Sequence, residues 1–589
     1  MRWVIREADP ERVRELSHAL GVSPLLARLL WLRGLANPEA AQQFLNPTLA
    51  HLENPWKMLG MEAAVGRIFQ AIDRREKILI YGDYDVDGAL AVVILQTALQ
   101  LLGGEVDSYI PHRMRDGYGM REEVMEQTAQ QGFTLLISVD TGIRAFAVVE
   151  RARELGLDCI ITDHHLPAGT GNSSEAIPRA VAVLNPKQPN CPYPDKNLCG
   201  AGVAFKLVHA LLERHPAGSA RLARLLPSFL KLVCIGTIAD NVPLVGENRV
   251  IARLGLEELR LPVNPGLKAL LEAAGLDGKT VSAWDVGFRL APRLNAAGRM
   301  ESAQDVIELL TLAGPDRAQE LALKLNRLNS ERQHAEQQIL SEIEARYQKS
   351  PESFSDSFLV VDGEGWHRGV LGIVASRLLE RFRRSAVLVI AREGGAGHGS
   401  GRSVEKFHLL QALTSCEEVF ERFGGHAQAV GFRLPVERIE ELRRRLNEYA
   451  ARSVPPEERI PELEIDAEIS LGDLSPVLWG ELERLAPYGY GNPQPVFCSR
   501  NVQRLGQPVL LKDKHLKMQV EQEGRVISAI GWRQGRLLDT LAVANPSLDL
   551  AFHLMQNSFH GEPKIQLELL DIISRVPPGS SSIASFHSG

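Results

Sequence analysis

The sequence predicts an α/β protein: a parallel-sheet domain joined by one long helix to a smaller α/β domain, with a C-terminal β-barrel beyond them. Three observations lead there. From about residue 61, short apolar runs alternate with amphipathic segments, the pattern of strand–helix–strand units in a parallel sheet. Residues 315–347 read as one charged helix with sparse apolar positions, as in a helix that bridges two bodies. Beyond about 460, short strands separated by turn residues number about five, which suits a small closed barrel of the OB type. At 589 residues the chain is too long for a single core.

Composition narrows the class. Charged residues make up 24% and hydrophobic ones 44%, as in an ordinary soluble protein. The formal net charge of -7 provides no global basic field, so a nucleic-acid partner would have to be met by local patches. Six cysteines lie scattered without a CxxC pair, which predicts reduced core thiols of a cytoplasmic protein and neither a disulfide framework nor a zinc site. The N-terminal residues lack the apolar core of a signal peptide. The stretch from Ala89 to Leu102 is too short to span a bilayer and carries Gln96 and Gln100, so no membrane segment is expected.

Residues 1–60 read as short helices interrupted by Pro24, Pro38, Pro47 and Pro55, with no chemistry of their own. Within 61–314, four strand-like runs follow. Lys77 to Tyr81 leads into Gly82-Asp83-Tyr84-Asp85-Val86-Asp87-Gly88, and Thr134 to Val139 ends on Asp140-Thr141-Gly142. Cys159 to Thr162 ends on Asp163-His164-His165, and Ala180 to Leu184 ends on Asn185-Pro186. A further run, Leu232 to Ala239, is compatible with helix or strand and ends on Asp240. Ligands of open parallel sheets sit outside the carboxyl ends of the strands. One acidic turn is explained as well by solvation as by metal binding, but Asp or His delivered at several successive element ends is not. Oxygen-rich ligation with one or two imidazoles favours Mn²⁺ or Mg²⁺ over zinc. Two such ions, about 3.5–4 Å apart, suit phosphoester or phosphoanhydride hydrolysis.

Asp85-Val86-Asp87-Gly88, Asp140 ahead of Gly142, Asp163-His164-His165 and Asp240 resemble the four motifs of the DHH phosphoesterase superfamily. Ala291-Pro292-Arg293-Leu294-Asn295-Ala296-Ala297-Gly298-Arg299 is similar to a signature of its single-strand-specific exonuclease branch, and the resemblance runs over essentially the whole chain. It implies Asp85, Asp87, Asp140, His164 and Asp240 as ligands of two divalent cations, Mn²⁺ or Mg²⁺, with Asp140 bridging and His165 facing the scissile phosphate. Asp83, two residues before the ligand pair, would either orient a water or a histidine or cap the turn, and Asp163 would orient one of the two histidines that follow it. Arg113, in the loop Ile110 to Gly119, and Arg293, Asn295 and Arg299 of the signature would bind the substrate. The sequence departs from the pattern at Tyr81, where some relatives carry histidine, at Thr141, and at Ala89 to Ala91.

The connecting helix spans 315–353 and the second domain 354–455. In the latter, Gly397-His398-Gly399-Ser400-Gly401-Arg402-Ser403 reads as a glycine-rich turn whose backbone N–H groups, with Ser400 and Arg402, make an anion nest. The resemblance extends to the DHHA1 domain, whose hallmark matches Gly424-Gly425-His426 and puts His426 near the phosphate. A Pro- and Glu-rich linker at 456–461 precedes the barrel, 460–575, and a Ser- and Gly-rich tail, 576–589, is expected to be disordered. In the barrel the basic loop Lys512, Lys514, His515 and Lys517 would track a phosphate backbone, with Trp532 or Phe559 stacking on bases.

The resemblance implies a cytoplasmic, monomeric 5′→3′ exonuclease of single-stranded DNA that releases 5′-mononucleotides in repair and recombination, alongside a helicase and a single-strand-binding protein. The alternatives are a DHH phosphodiesterase acting on short oligonucleotides or cyclic dinucleotides, whose chains usually lack the barrel, and an inactive DNA-binding scaffold, which would have lost ligands.

Overall fold

The protein was analysed as a computed structural model, which describes residues 2–575 apart from 114, 118, 169–175, 263, 355, 454–461, 539, 540, 542–546 and 558–563. The expected linker at 456–461, the tail and Phe559 lie outside the described residues. The chain forms two compact units: 52–242 with 251–459, and 1–51 with 243–250 and 460–589.

The larger unit begins with a five-stranded, all-parallel sheet in the order Glu105–Tyr109, Lys77–Tyr81, Phe133–Val139, Asp158–Thr162, Ala182–Leu184. The strand Glu105–Tyr109 has no counterpart in the sequence reading. It is an edge strand, with Glu105 and Asp107 exposed, so it carries too little apolar residue to announce itself. The helix Val86–Leu101 is apolar on every side and almost wholly buried. Residues 232–239 belong to a helix, Leu222–Ala239, whose C-terminal end carries Asp240. Among the described residues this is the one helix long and apolar enough to cross a membrane, and half of it is buried in the domain, where it packs on Val86–Leu101 and Gly200–Arg214.

One helix, Pro315–Lys349, runs 35 residues, or about 52 Å at 1.5 Å per residue. Ala318, Leu321, Ala322, Leu325 and Leu328 join the core of the parallel-sheet domain, while Ile339 and Ile343 join a second core around Val374, Val387 and Val389. The helix is thus shared between two hydrophobic cores. The second domain is a mixed sheet in the order Arg422–Gly425, Ala429–Pro435, Ala396–Ser403, Ala386–Glu393, Phe358–Glu364.

Here the expected glycine-rich turn is corrected. Residues Ala396–Ser403 form a strand hydrogen-bonded on both sides, so its backbone N–H groups are committed to the ladder and form no anion nest. The alternation of a strand explains the sequence instead. A Cβ at Gly399 would lie 2.0 Å from the Phe432 ring and one at Gly401 2.3 Å from Leu388, so the glycine face is pressed on the core. His398, Ser400 and Arg402 occupy the other face.

In the smaller unit, Phe497–Leu511, His515–Gln522, Arg525–Gly531, Lys564–Arg575 and Ser547–Asn557 close into a barrel through the pairing of Phe497–Leu511 with Ser547–Asn557. The helices Pro10–Leu20, Pro24–Leu32 and Pro38–Leu45 pack into the same hydrophobic core as the barrel. Each starts with proline behind a capping side chain, Asp9, Ser23 or Asn37, that accepts hydrogen bonds from the first turn. Lys512 and Lys514 are exposed at the hairpin tip, and Trp532, 46% exposed, packs edge-on against His515 at 4.9 Å.

The segment 243–250 is pinned by Arg249. Its guanidinium lies 3.5 Å from the Phe44 ring centroid and donates to the carbonyls of Phe44, Arg484, Leu485 and Ala486 at 2.7–3.1 Å. Arg249→Met would remove this donor from all four carbonyls, of which that of Leu485 keeps another, Asn492 Nδ2 at 2.8 Å, each acceptor left unsatisfied costing about 1–3 kcal/mol. The unfolding transition of this unit is therefore expected to fall by several degrees in differential scanning calorimetry, and an unchanged transition would contradict the anchoring role.

Candidate metal centre and nucleotide groove

The carboxyl edge of the parallel sheet gathers the acidic motifs. Asp85 caps the helix Val86–Leu101 by accepting from the Gly88 N–H at 3.0 Å. Asp87 accepts from the N–H groups of Gly200, at 2.5 Å, and Ala201, at 2.9 Å, at the start of the helix Gly200–Arg214. Three groupings have ligand atoms within 4.8 Å of one another: Asp83 with Asp85 and Asp140, Asp87 with His164 and Asp240, and Asp140 with His164 and His165. His164 Nε2 stands 3.2 Å from Asp140, 3.7 Å from Asp240 and 4.0 Å from Asp87. The five expected ligands therefore meet at one place, with Asp83 beside them.

Close approach is built into the backbone. Asp140 adopts φ 59°, the left-handed region that costs a non-glycine residue conformational energy and that clusters at functional sites. A Cβ at Gly200 would lie 2.5 Å from that of Asp140, so only glycine lets the helix start against this aspartate.

Burial dominates the electrostatics. It raises Asp87 to about 6, Asp83 to about 8 and Asp240 to about 9, with neighbouring aspartates adding to each shift. Asp140 is raised well above the ordinary carboxylate range by the same two causes. His164 is lowered to about 3, chiefly by burial, and is a neutral imidazole. Asp140 Oδ1 is buried and accepts no hydrogen bond among the described residues. A neutral imidazole nitrogen facing carboxylate oxygens, one of them without a partner, fits a hard divalent cation held among them.

Tyr81 takes no part. Its side chain is fully buried in the apolar layer beside Tyr109, and its hydroxyl donates to the Gly119 carbonyl at 3.0 Å. Asp163 serves as an orienting group. Its Oδ1 accepts from the backbone of His164 and His165 and, at 2.7 Å, from His165 Nδ1, while Oδ2 accepts from Ile143. Burial acts to raise Asp163, but its bonds to His165 and the backbone prevail and lower it. Burial acts to lower His165, and the Asp163 hydrogen bond and charge prevail and raise it. His165 therefore lines the groove with its Nδ1 side held by Asp163 and its affinity for a proton raised.

The groove, about 1190 Å³, is lined by Asp83, Asp85, Asp87 and His165 on the parallel-sheet side and by His398, Ser400, Arg402 and His426 on the other. His426 stacks on His165 at 6.3 Å with the rings 13° apart. Arg113 lies over the Tyr84 ring at 4.7 Å. Arg299 donates to the Gly369 carbonyl at 3.1 Å, and burial with the charges of Arg113, Arg332 and Arg402 lowers it to about 10. Arg402 is lowered likewise by burial and by Arg113. Asn295 lines the groove and accepts from the Val86 N–H at 3.3 Å, bracing the acidic turn. Arg293 is not among the lining residues; its guanidinium is held by Asn326 and the Arg289 carbonyl. Arg144, Arg422 and Arg433 also line the groove. Nothing in their local sequence separates them from solvated arginines.

Residues 77–237 match the DHH family, N-terminal domain; residues 355–452 match the DHHA1 domain, and residues 465–571 the RecJ OB domain. Over 577 residues the chain is 39% identical to the single-stranded-DNA-specific exonuclease RecJ of Bacillus subtilis (strain 168), covering 97% of this chain and 70% of that one. With the RecJ of Salmonella typhimurium the identity is 33%, covering 96% of this chain and 98% of the relative. The chain belongs to the RecJ family. The crystal structure of RecJ from Thermus thermophilus in complex with Mn²⁺ superposes with a TM-score of 0.81 at 31% identity, covering 98% of this chain and 80% of that one. The Mg²⁺ complex of the same RecJ gives 0.75 at 29% identity, covering 98% and 79%. The RecJ architecture of two α/β domains and an OB barrel is therefore the fold of this chain.

The raised carboxyls make metal-free stability pH-dependent. A carboxyl whose folded pKa exceeds its unfolded value stabilises the fold below the unfolded value and loses that contribution as pH rises through the folded one. For Asp87, Asp83 and Asp240 the window runs from about 4 to about 9. Asp140→Asn removes one member of the repelling cluster. The metal-free variant should melt about 2–4 °C above the wild type near the top of that window, with the gap closing toward its foot, and should not hydrolyse DNA. A lower melting temperature throughout, or retained turnover, would contradict the assignment.

Proposed function

We propose that the chain is a single-strand-specific DNA exonuclease that starts at a 5′-phosphorylated end and releases 5′-mononucleotides. One observation carries this reading: Arg113, Arg299, Arg402 and Ser400 converge on the same groove as the acidic cluster. Burial, and after it the charge of Arg113, lower both Arg299 and Arg402, and a phosphate is the anion that would relieve this desolvated repulsion and match the forked geometry of the guanidiniums. The helix Leu371–Phe382 adds to the pocket, since a Cβ at its Gly372 would lie 3.0 Å from the Arg402 guanidinium and 3.1 Å from the Ser400 hydroxyl.

Polarity follows from this pairing. Every internal phosphodiester looks alike to a metal centre, so direction requires a terminal feature held a fixed distance from it. A 5′-phosphate in the arginine pocket sets the first phosphodiester against the carboxylates. Bound by Asp85, Asp87, Asp140, His164 and Asp240, two Mn²⁺ or Mg²⁺ ions would supply Lewis acidity for the phosphate and activation of a water. His165, oriented by Asp163, whose charge favours its protonated form, stabilises the charge that develops on the phosphoryl oxygens. Arg299 and Arg402 retain the terminal phosphate, and Asn295 holds the acidic turn in register. All five ligands and the barrel are present, which argues against an inactive scaffold and against a phosphodiesterase limited to dinucleotides. The reading includes a monomeric cytoplasmic enzyme of repair and recombination, and a helicase or single-strand-binding protein to make its single strands available.

A product time course on strands labelled at either end is the direct test. With Mn²⁺ or Mg²⁺, a 5′ label should appear at once as mononucleotide and a 3′ label only at the end; the reverse order would refute the polarity. Charge-assisted contacts are worth about 1.5–3 kcal/mol, so Arg402→Ala should slow a 5′-phosphorylated strand about tenfold to a hundredfold and a 5′-hydroxyl strand much less. Equal losses on both would move the pocket elsewhere.

A further inference from the structure

Trp284 and Phe288 are 62% and 67% exposed, yet their rings stack on each other at 5.2 Å with planes 26° apart. Large aromatics left in water as an ordered pair are unusual unless something covers them. They lie on a short helical segment, Ala283–Asp285, that continues through a π-helical turn, Val286–Leu290, into the helix Ala291–Met300. Positions 284 and 288 are four residues apart, so their side chains fall close to one line along the helical surface. Continued at 3.6 residues per turn, that line passes Pro292, Asn295 and Arg299. Exposure falls along it, from mostly exposed at Trp284 and Phe288 to half-buried at Pro292, Asn295 and Arg299, while Val286, Leu290 and Leu294, off this line, are buried.

The stripe is therefore continuous with the groove, whose wall includes Asn295 and Arg299. The turn also packs beside the helix Leu222–Ala239, which leads into Asp240: a Cβ at Gly287 would lie 3.9 Å from the Ile238 side chain. From Trp284 to Asn295 the helix rises about 16 Å, a distance that a stacked single strand, at about 3.4 Å per nucleotide, crosses in about five nucleotides.

We propose that Trp284 and Phe288 form a base-stacking subsite that holds the single strand a few nucleotides to the 3′ side of the bond being cut. This deepens the exonuclease reading and rests on it. Stacking on an aromatic face is indifferent to sequence, because every base has a π-face, and an enzyme that consumes a strand stepwise needs a hold of that kind. The pair is open to solvent and needs no rearrangement to receive a base. Continuity with Asn295 and Arg299 favours a nucleic-acid strand over a protein as the occupant.

The test is the length dependence of KM. Wild type, Trp284→Ala/Phe288→Ala and Trp284→Tyr/Phe288→Tyr are compared on 5′-phosphorylated single strands of about 3 and about 12 nucleotides, since only the longer reaches the pair. In the wild type KM should fall as the strand lengthens. The double alanine variant should lose that gain by about tenfold or more, with kcat nearly constant, and the tyrosine variant should keep most of it. An alanine variant with the wild-type length dependence would overturn the subsite and leave the pair to a protein partner. Equal weakening on both lengths would overturn it too, since the change would then act through the groove. If the wild type cuts neither strand, the exonuclease reading itself fails; cleavage with unaltered length dependence removes only the subsite.

Discussion

Five carboxylates, Asp83, Asp85, Asp87, Asp140 and Asp240, crowd together at the edge of the parallel sheet, four of them raised above their ordinary range by burial and by one another. Lys187 and Arg113 offset only part of this, acting on Asp240 and Asp83. The surrounding structure is arranged to tolerate the crowding: N–H groups of a helix start meet Asp87, a glycine gives way to Asp140, and Asn295 clamps the acidic turn. A site so expensive in the absence of cations is a site built around them.

The rest of the larger unit can be understood as bringing a second set of charges to face the first. The helix Pro315–Lys349 contributes apolar residues to both cores, so the strand bearing Ser400 and Arg402 is held opposite the acidic edge by packing. The acidic groups stand on one wall, with Arg113 and Arg299 of the same domain beside them, while Ser400, Arg402 and His426 of the second domain face them across the groove. The pairing of His165 with His426 across the groove belongs to the same arrangement.

Much of this was legible in the sequence because the acidic motifs stand directly behind apolar strands, where one residue of context fixes their place. The strand Glu105–Tyr109 escaped because an edge strand can be polar at alternate positions. Residues 397–403 looked like a turn because glycine is the usual mark of one, whereas here alternate glycines make room for Phe432 and Leu388 and leave a polar face. The association of 1–51 and 243–250 with the barrel was hidden for another reason: nothing local in an amphipathic helix says which core it will join. Arg293 shows the opposite error of inference, since its place in a signature does not bring its guanidinium to the cavity.

With four of its carboxylates raised, the empty acidic cluster should hold protons that metal binding displaces. Calorimetric titration of the metal-free protein with Mn²⁺ in two buffers of different ionisation heat reads both quantities at once. Near pH 7 two ions per chain should bind with net release of protons from the raised carboxyls Asp83, Asp140 and Asp240, and the release should shrink as pH rises through their range. Binding without proton release near neutrality, or no binding, would contradict it.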